Sequence, residues 1–313
     1  PTAGPDSAAP PHATHPPALD CHTHCFPTEM GQAPRAWASA RNEPHWADLV
    51  APQDRKSIQD WTSPERMLEV MDEASVDQAV LLGWYWETEG VCSWHNEQIA
   101  SWCATAPERF IGYASIKPNE NTISQLEHAQ ALGLCGVGEL HPGVQGFDSA
   151  SPGWKELARW CAGHDWPVNF HCTRPVGDHP QAVATPLEDY AAMVREHPKL
   201  TFIFAHWGAG LPQLLQDAPP ENAYYDCSAS PLLYRDDIFR DVMAQAGAEK
   251  MLFGSDYPLR IYPRQTKRAE MKRFIASIRN NTELPKKAIK DLLGGNFERL
   301  KRQKGTRSPE KDL

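Results

Sequence analysis

Eight short apolar runs, separated by amphipathic stretches, constrain the fold of this 313-residue chain more than any other feature. We predict strands at 18–24, 76–84, 109–116, 134–140, 166–172, 200–206, 223–228 and 250–255. We predict helices between them at 64–74, 95–105, 122–132, 154–163, 187–197, 211–217 and 235–247. Parallel strands need crossover connections, which are usually helical, so this alternation predicts an α/β protein. The count of eight favours a (β/α)8 TIM barrel over an open doubly wound sheet, and no glycine-rich phosphate loop follows the first strand.

The chain divides by composition into a leader, one large domain and a tail. Residues 1–18 are rich in Pro and Ala and lack apolar patterning, so we expect a flexible leader. Residues 19–302 carry the predicted strands and helices, and barrels of this size commonly form a single domain. Residues 303–313 are a charged C-terminal tail.

A long insertion follows the first strand, at about residues 26–62, and carries Trp37, Trp46 and Trp61. Connections of this length are usually functional, so we expect the insertion to cover the active site. The equal alternative is a surface loop packed by its own tryptophans. Exposed tryptophans in this insertion would also be compatible with a homodimer contact.

The charge balance limits the partners and the location of the protein. The chain has 31 Lys and Arg against 40 Asp and Glu, a formal net charge of −9, whereas a nucleic-acid partner requires a basic face. No apolar run approaches the roughly 20 residues that span a bilayer. The eight cysteines are dispersed, which is typical of buried thiols in a reducing compartment. We therefore expect a soluble, cytoplasmic protein without a membrane partner; export stays open because the native N-terminus is not in view.

Potential metal ligands end four of the apolar runs. His22 and His24 end the first, and residues i and i+2 of a strand point to the same side. His171 ends the fifth run, His206 the sixth and Asp256 the eighth. The carboxyl ends of barrel strands meet on one face, where the active sites of such barrels lie. Imidazole and carboxylate are standard ligands of divalent metals, so the sequence predicts a metal site on this face.

As a set, these motifs resemble the amidohydrolase superfamily, and within it the amidohydrolase-2 branch of metal-dependent hydrolases that includes 2-amino-3-carboxymuconate-6-semialdehyde decarboxylase. The resemblance spans roughly residues 19–302. The matching pieces are D-x-H-x-H at 20–24, His171, His206, G-S-D-Y-P at 254–258, Asn96 with P-E-R-F at 107–110, and G-G-N-F-E-R-L at 294–300.

The resemblance implies a role for each matching residue. His22, His24, His171 and Asp256 would bind one divalent metal ion, and His206 would take a proton from a coordinated water as general base. Such an ion lowers the pKa of its water toward about 7, within reach of a neutral imidazole. Zinc suits three histidines and a carboxylate, and manganese shares such sites.

Glu139, at the end of the fourth run, leaves a second arrangement open. Some two-metal members of the superfamily bridge their ions with a fourth-strand carboxylate. In that arrangement His171 and His206 would both bind the second ion, and Asp256 would become the general base. The remaining motifs resemble the single-metal branch, so one ion is favoured.

Residues just beyond the strand ends suggest the kind of substrate. Arg174 and Arg260 follow potential metal ligands, and arginine pairs well with carboxylates. Trp84 and Trp207 also follow strands and are able to stack on a flat molecule. Together these four residues predict binding of a small, planar, carboxylated substrate.

Two reactions fit this site. The first is hydrolysis, in which water activated by the metal attacks a lactone, amide or ester. The alternative is a non-oxidative decarboxylase, a carbon–carbon lyase acting on an aromatic or unsaturated carboxylate. Glu139 favours hydrolysis, and the aromatic and arginine residues favour decarboxylation. A third possibility, a barrel that binds ligands without catalysis, is disfavoured because every candidate ligand is present.

Overall fold

The computed structural model of the chain describes residues 18–173, 183–261 and 266–305. Its eight strands all lie within the predicted apolar runs. They are β1 (Leu19–Thr23), β2 (Gln78–Leu81), β3 (Phe110–Gly112), β4 (Val137–Leu140), β5 (Val168–Phe170), β6 (Phe202–Phe204), β7 (Ala223–Asp226) and β8 (Met251–Leu252).

Helices occupy the connections between consecutive strands, as predicted. They are α1 (Pro34–Ser39), α2 (Pro44–Val50), α3 (Pro64–Ala74), α4 (Glu89–Thr105), α5 (Thr122–Ala131), α6 (Pro142–Gln145), α7 (Pro152–Gly163), α8 (Leu187–Glu196), α9 (Leu211–Leu215), α10 (Ser230–Leu233), α11 (Ile238–Ala246), α12 (Lys272–Arg279), α13 (Lys286–Lys290) and α14 (Asn296–Gly305). Short 3-10 turns at Thr28–Gln32, His206–Gly210 and Ala248–Lys250 and a π turn at Asp291–Gly295 complete the helical elements.

All strand pairs are parallel, in the order β1-β2-β3 and β4-β5-β6-β7-β8. A parallel bridge between Ala114 and Val137 joins the segment after β3 to β4. At the other edge, the N–H of Cys21 in β1 donates to the carbonyl oxygen of Phe253, just after β8, at 2.8 Å. The two sheets therefore meet at both edges, which confirms the predicted (β/α)8 architecture.

Helix α3 shows how local sequence fixes an element. The Ser63 hydroxyl accepts a hydrogen bond from the Arg66 N–H at 3.3 Å, and Pro64 occupies the first helical turn, where its missing N–H is not needed. The helix ends at Ser75, whose φ of 56° is left-handed. Its buried residues are Met67, Val70, Met71 and Ala74. Their spacing of three and four residues places them on one face, which packs against the sheet.

The core between the strands and the helices is rich in aromatic rings. Phe170, Phe202 and Phe204 stack side by side on β5 and β6 with centroids 5.8–6.0 Å apart. Each is fully buried, and burying a phenylalanine contributes about 1.5–3 kcal/mol. This packing holds β5 and β6 in register, and so fixes where their carboxyl ends lie.

The insertion after β1 packs against the loop that follows β2. The Glu43 carboxylate accepts hydrogen bonds from the N–H groups of Glu87 at 2.7 Å and Thr88 at 3.0 Å. The Trp46 ring lies 5.6 Å from Trp86 in the same loop. Tryptophans of the insertion also contact one another, as expected of a surface loop packed by its own tryptophans. The insertion therefore lies at the carboxyl ends of the strands.

The described residues extend slightly past both predicted domain boundaries, to Ala18 and Gly305. Ala18 is buried and its N–H donates to Asp77 at 2.9 Å, so the packed region includes this last residue of the predicted leader. Helix α14 continues to Gly305, slightly past the predicted end at 302. The remainder of the leader and of the tail lies outside the described residues. Within the described part, no helix is long and apolar enough to span a membrane.

Candidate metal centre

Six side chains predicted from the strand ends lie together at one end of the barrel. All are buried except His171, which is partly exposed. They form two groups in which every ligand atom lies within 4.8 Å of the others: His22, His24 and Asp256 in the first, and Glu139, His171 and His206 in the second. His171 therefore groups with Glu139 rather than with the first-strand histidines.

The first group forms a triangle of one carboxylate oxygen and two imidazole nitrogens. The Nε2 atoms of His22 and His24 are 3.2 Å apart. Asp256 Oδ1 lies 3.7 Å from the first and 3.8 Å from the second. The three atoms come from the end of β1 and from the segment after β8, which lie side by side because Cys21 bonds to Phe253 and Thr23 bridges to Tyr257.

The second group repeats this arrangement. His171 Nδ1 lies 3.1 Å from Glu139 Oε1 and 3.3 Å from His206 Nε2. Glu139 Oε1 and His206 Nε2 are 4.0 Å apart. Side chains from three consecutive strands thus converge on one point.

Glu139 lies between the two groups. Its Oε1 is 3.5 Å from His22 Nε2, and its Oε2 is 3.4 Å from His24 Nε2. The carboxylate therefore offers oxygen atoms to both triangles. Burial opposes ionisation of Glu139, but the positive charges of His171 and His22 hold its pKa well below the usual range, so it is a carboxylate.

These distances match those between ligands of one metal ion. Two ligands about 2.0–2.2 Å from a tetrahedral ion lie roughly 3.3–3.6 Å apart, close to the edges of both triangles. Burial alone would lower the pKa of His22, yet Asp226 and Glu139 raise it to about 10. The carboxylates therefore favour a positive charge at this point, and a divalent cation is able to supply it in place of the proton.

Asp226, at the end of β7, was not identified from the sequence. Its Oδ2 accepts a hydrogen bond from His22 Nδ1 at 3.0 Å, which leaves His22 Nε2 free to face the first group. A carboxylate on the second nitrogen of a ligating histidine is the usual support of a metal site. Asn169 and Ser228 also donate to Asp226. The carboxylate at the end of the seventh apolar run was the available signal, the same one that identified Asp256.

His206 has a defined tautomer. Its Nδ1 donates to the carbonyl oxygen of Ser228 at 3.0 Å, so the lone pair of the neutral ring is on Nε2, which faces His171. Burial, and next the charge of His171, lower the pKa of His206, which keeps the ring neutral. Nε2 is therefore available to bind a cation or to accept a proton.

Two members of the centre have left-handed backbone conformations: φ is 54° at His206 and 61° at Asp256. Non-glycine residues with positive φ are uncommon, and Asp and His are among those that adopt it most readily. Such conformations cluster at functional sites.

Asp20 supports the centre without entering either group. Its Oδ1 accepts hydrogen bonds from the N–H groups of His22 at 3.1 Å and Ser255 at 3.0 Å. It thus ties the end of β1 to the segment after β8. Burial raises its pKa to about 7.

The four residues predicted to bind substrate have different surroundings. The Trp84 ring lies edge-on to His24 at 5.2 Å, beside the first group. Trp207 is instead buried against Phe239, with its indole N–H donating to Ser230, which gives it a packing role in the core.

Of the two arginines predicted to bind substrate, the structure describes Arg260. The Arg260 guanidinium donates to the carbonyl oxygen of Ser57 at 2.6 Å, so it joins the insertion to the segment after β8. Arg174 lies outside the described residues.

Several solved structures are similar in fold to this chain. The solved structures include an uncharacterized TIM-barrel protein from Bordetella bronchiseptica, with 20% identity, a TM-score of 0.67, and coverage of 92% of this chain and 99% of that one. They also include 5-carboxyvanillate decarboxylase from Sphingomonas paucimobilis, with 16% identity, a TM-score of 0.68, and coverage of 92% and 99%. A third is dihydroxybenzoic acid decarboxylase from Polaromonas sp. JS666 with bound manganese and 2-nitroresorcinol, with 17% identity, a TM-score of 0.62, and coverage of 96% and 100%. At these identities the likeness shows the fold.

None of the curated proteins matches the sequence. A family model described as amidohydrolase matches residues 19–300, nearly the whole described chain. The match covers all eight strands and both groups of candidate ligands, and confirms the resemblance noted in the sequence. The chain belongs to the amidohydrolase family.

Proposed function

We propose that this chain is a metal-dependent hydrolase that opens a lactone, amide or ester bond in a small, planar, carboxylated substrate. The position of Glu139 carries the proposal. Its two oxygen atoms lie 3.1–3.5 Å from His171, His22 and His24, so one carboxylate serves both groups of ligands. A carboxylate in this position suits two divalent ions held side by side, an arrangement typical of hydrolytic centres.

In this arrangement His22, His24 and Asp256 would hold one ion and His171 and His206 would hold the other, and Glu139 would be a ligand available to both. Zinc fits the nitrogen-rich donor set, and manganese is the alternative, since a neighbour in fold contains it. Divalent ions bound here would supply Lewis acidity toward a carbonyl oxygen and would acidify water.

The protein's own residues then position the reactants and move the proton. Asp226 holds His22 in one tautomer, and the carbonyl of Ser228 does the same for His206. Asp256 Oδ1 is the oxygen nearest the first group, and Asp256 Oδ2 lies 3.9 Å from His206 Nδ1. We assign Asp256 as the acceptor of the proton that water loses and as its donor to the leaving group.

A second reaction, loss of CO2 from an aromatic carboxylate, is favoured by a different observation. Trp84 and Tyr85 stack with centroids 4.2 Å apart beside the ligands, which suits an aromatic ring. Proteins with this fold include decarboxylases of aromatic acids. In this reaction the carbon–carbon bond breaks, CO2 leaves, and the ring carbon takes up a proton.

Metal content per chain tests the centre. We expect two equivalents in the wild type and one or none in Glu139→Gln, because the amide supplies a single weak ligand atom. Glu43→Gln is the matched control, since Glu43 is equally buried but binds the loop after β2. One equivalent in both wild type and Glu139→Gln would refute the shared-carboxylate arrangement.

Turnover in H2¹⁸O separates the two reactions. Hydrolysis places one ¹⁸O atom in the new carboxylate of the product and releases no CO2. Decarboxylation releases CO2 and adds a solvent hydrogen to carbon. The assay requires panels of lactones, esters and amides on one side and aromatic carboxylates on the other.

A further inference from the structure

Three side chains that the metal centre does not use lie beside His171. Tyr85 follows β2, His45 belongs to α2 of the insertion, and His141 follows β4. The His171 ring lies 5.0 Å from Tyr85 and 5.4 Å from His141, and Tyr85 lies 5.7 Å from His45. Three separate segments thus bring polar rings to one side of the centre.

The Tyr85 hydroxyl has no hydrogen-bond partner among the described residues, although the residue is 1% exposed. Buried hydroxyls are nearly always hydrogen-bonded, so an orphan beside a reactive centre indicates a partner that arrives with a ligand. The phenol O–H is a hydrogen-bond donor, and it is available to a ligand at this position.

The ring nitrogens of the two histidines are described by their hydrogen bonds. His141 Nδ1 accepts a hydrogen bond from the Val144 N–H at 3.3 Å, so the proton of its neutral ring is on Nε2. The buried Nδ1 of His45 has no partner among the described residues. The cluster thus supplies two donors, the Tyr85 O–H and the Nε2–H of His141, and one unpartnered ring nitrogen of His45.

The surroundings favour an anionic, flat ligand. The Tyr85 ring stacks on Trp84, and the His141 ring stacks on His171 at 22°, so the cluster consists of paired flat rings. At the metal centre, the carboxylates of Glu139 and Asp256 would balance the charge of bound cations. The cluster of Tyr85, His141 and His45 contains no carboxylate of its own. A carboxylate group accepts from two donors at once and is the acceptor that such a cluster fits best.

We infer that Tyr85, His141 and His45 bind the carboxylate of a planar substrate beside the metal centre, with the Tyr85 hydroxyl as a donor to it. The inference rests on the proposed function, because it holds the substrate next to the ions that act on its other group. Neutral donors, rather than a cationic arginine, would then select substrates that carry a carboxylate.

Calorimetric titration of the metal-loaded protein with benzoate tests this inference. We expect Tyr85→Phe to weaken benzoate binding roughly 10- to 100-fold, the usual effect of losing a hydrogen bond to a charged group. Its thermal midpoint should not fall, because the lost hydroxyl has no partner in the described structure. His141→Asn should also weaken binding, while asparagine keeps the helix cap that His141 provides to Val144.

Tyr224→Phe is the matched control, since its ring lies under the Lys250 ammonium group at 4.9 Å and should leave benzoate binding unchanged. Benzylamine, with the same ring and the opposite charge, should bind more weakly than benzoate. Equal benzoate affinity in wild type and Tyr85→Phe, or tighter binding of benzylamine, would overturn the inference. Metal loss from Tyr85→Phe would overturn it too. A protein that passes these tests but hydrolyses nothing would refute the proposed function alone.

Discussion

Gly254, just after β8, packs directly against a candidate metal ligand. A Cβ atom at this position would lie 2.7 Å from the Cβ of His22 and 3.3 Å from Asp226 Oδ1. Carbon atoms in ordinary contact are about 3.5–4.0 Å apart. In Gly254→Ala, His22 must therefore move by about 1 Å, although the hydrogen bond of its ring to Asp226 at 3.0 Å resists that movement.

The expected effects of Gly254→Ala follow from this displacement. Overpacking of this kind costs about 1–3 kcal/mol of unfolding free energy, less than the total stability of a typical domain, so the variant should fold. A misplacement of about 1 Å in a reactive centre lowers turnover by about 100-fold. We expect a comparable loss of metal affinity, because His22 Nε2 moves relative to both His24 and Glu139.

Calorimetric titration with Zn²⁺ or Mn²⁺ and urea unfolding measure the two effects separately. Gly163→Ala is the control: it lies at the end of α7, and an added Cβ meets no atom within 4 Å. This control should keep wild-type metal affinity, and its free energy of unfolding should rise by about 0.4–1 kcal/mol. If Gly254→Ala bound metal as the wild type does, the assignment of His22 as a tightly held ligand would be refuted.

Three further predictions concern other parts of the structure. Asp226→Asn should lower metal affinity about 10- to 100-fold without unfolding the protein, because it loosens His22, and wild-type affinity in calorimetry would contradict this role. His95 is buried, accepts a hydrogen bond from Trp86 at Nδ1, and has its pKa lowered to about 4 by burial. The neutral His95 ring stabilises the folded state fully above the unfolded pKa of 6.5, and this stabilisation is lost as the pH falls toward 4. The free energy of unfolding should therefore fall by about 2 kcal/mol between pH 7 and pH 5 because of this residue. This pH dependence should be smaller in His95→Gln; equal slopes in urea unfolding would contradict the assignment. Trp46→Ala should cost about 3–5 kcal/mol of unfolding free energy, since this buried ring joins the insertion to the loop after β2, and a loss below 1 kcal/mol would show that the insertion packs independently.

Much of the fold and of the centre was predictable because the signals are local. Apolar runs and helical spacing identified all eight strands. The alternation of side chains along a strand placed His22 and His24 on one side, and the rule that parallel strand ends meet on one face added His171, His206 and Asp256.

What the sequence did not determine depends on contacts between distant segments. Asp226 supports His22 across 204 residues, because the end of β7 lies beside β1 in the folded chain. The sequence resemblance favoured one ion, whereas the positions of the strand ends divide the ligands into two groups. Trp207 follows a strand like the other candidates, yet a left-handed turn directs its ring into the core against Phe239.

The sequence by itself therefore determined which elements form and which residues end them, since hydrophobic periodicity and chain direction act over a few residues. The tertiary structure alone decided which of those side chains meet. In the folded chain, residues more than 200 positions apart lie within hydrogen-bond distance of each other. The orphan hydroxyl of Tyr85, the shared position of Glu139 and the support from Asp226 all depend on such tertiary contacts, which no local pattern in the sequence records.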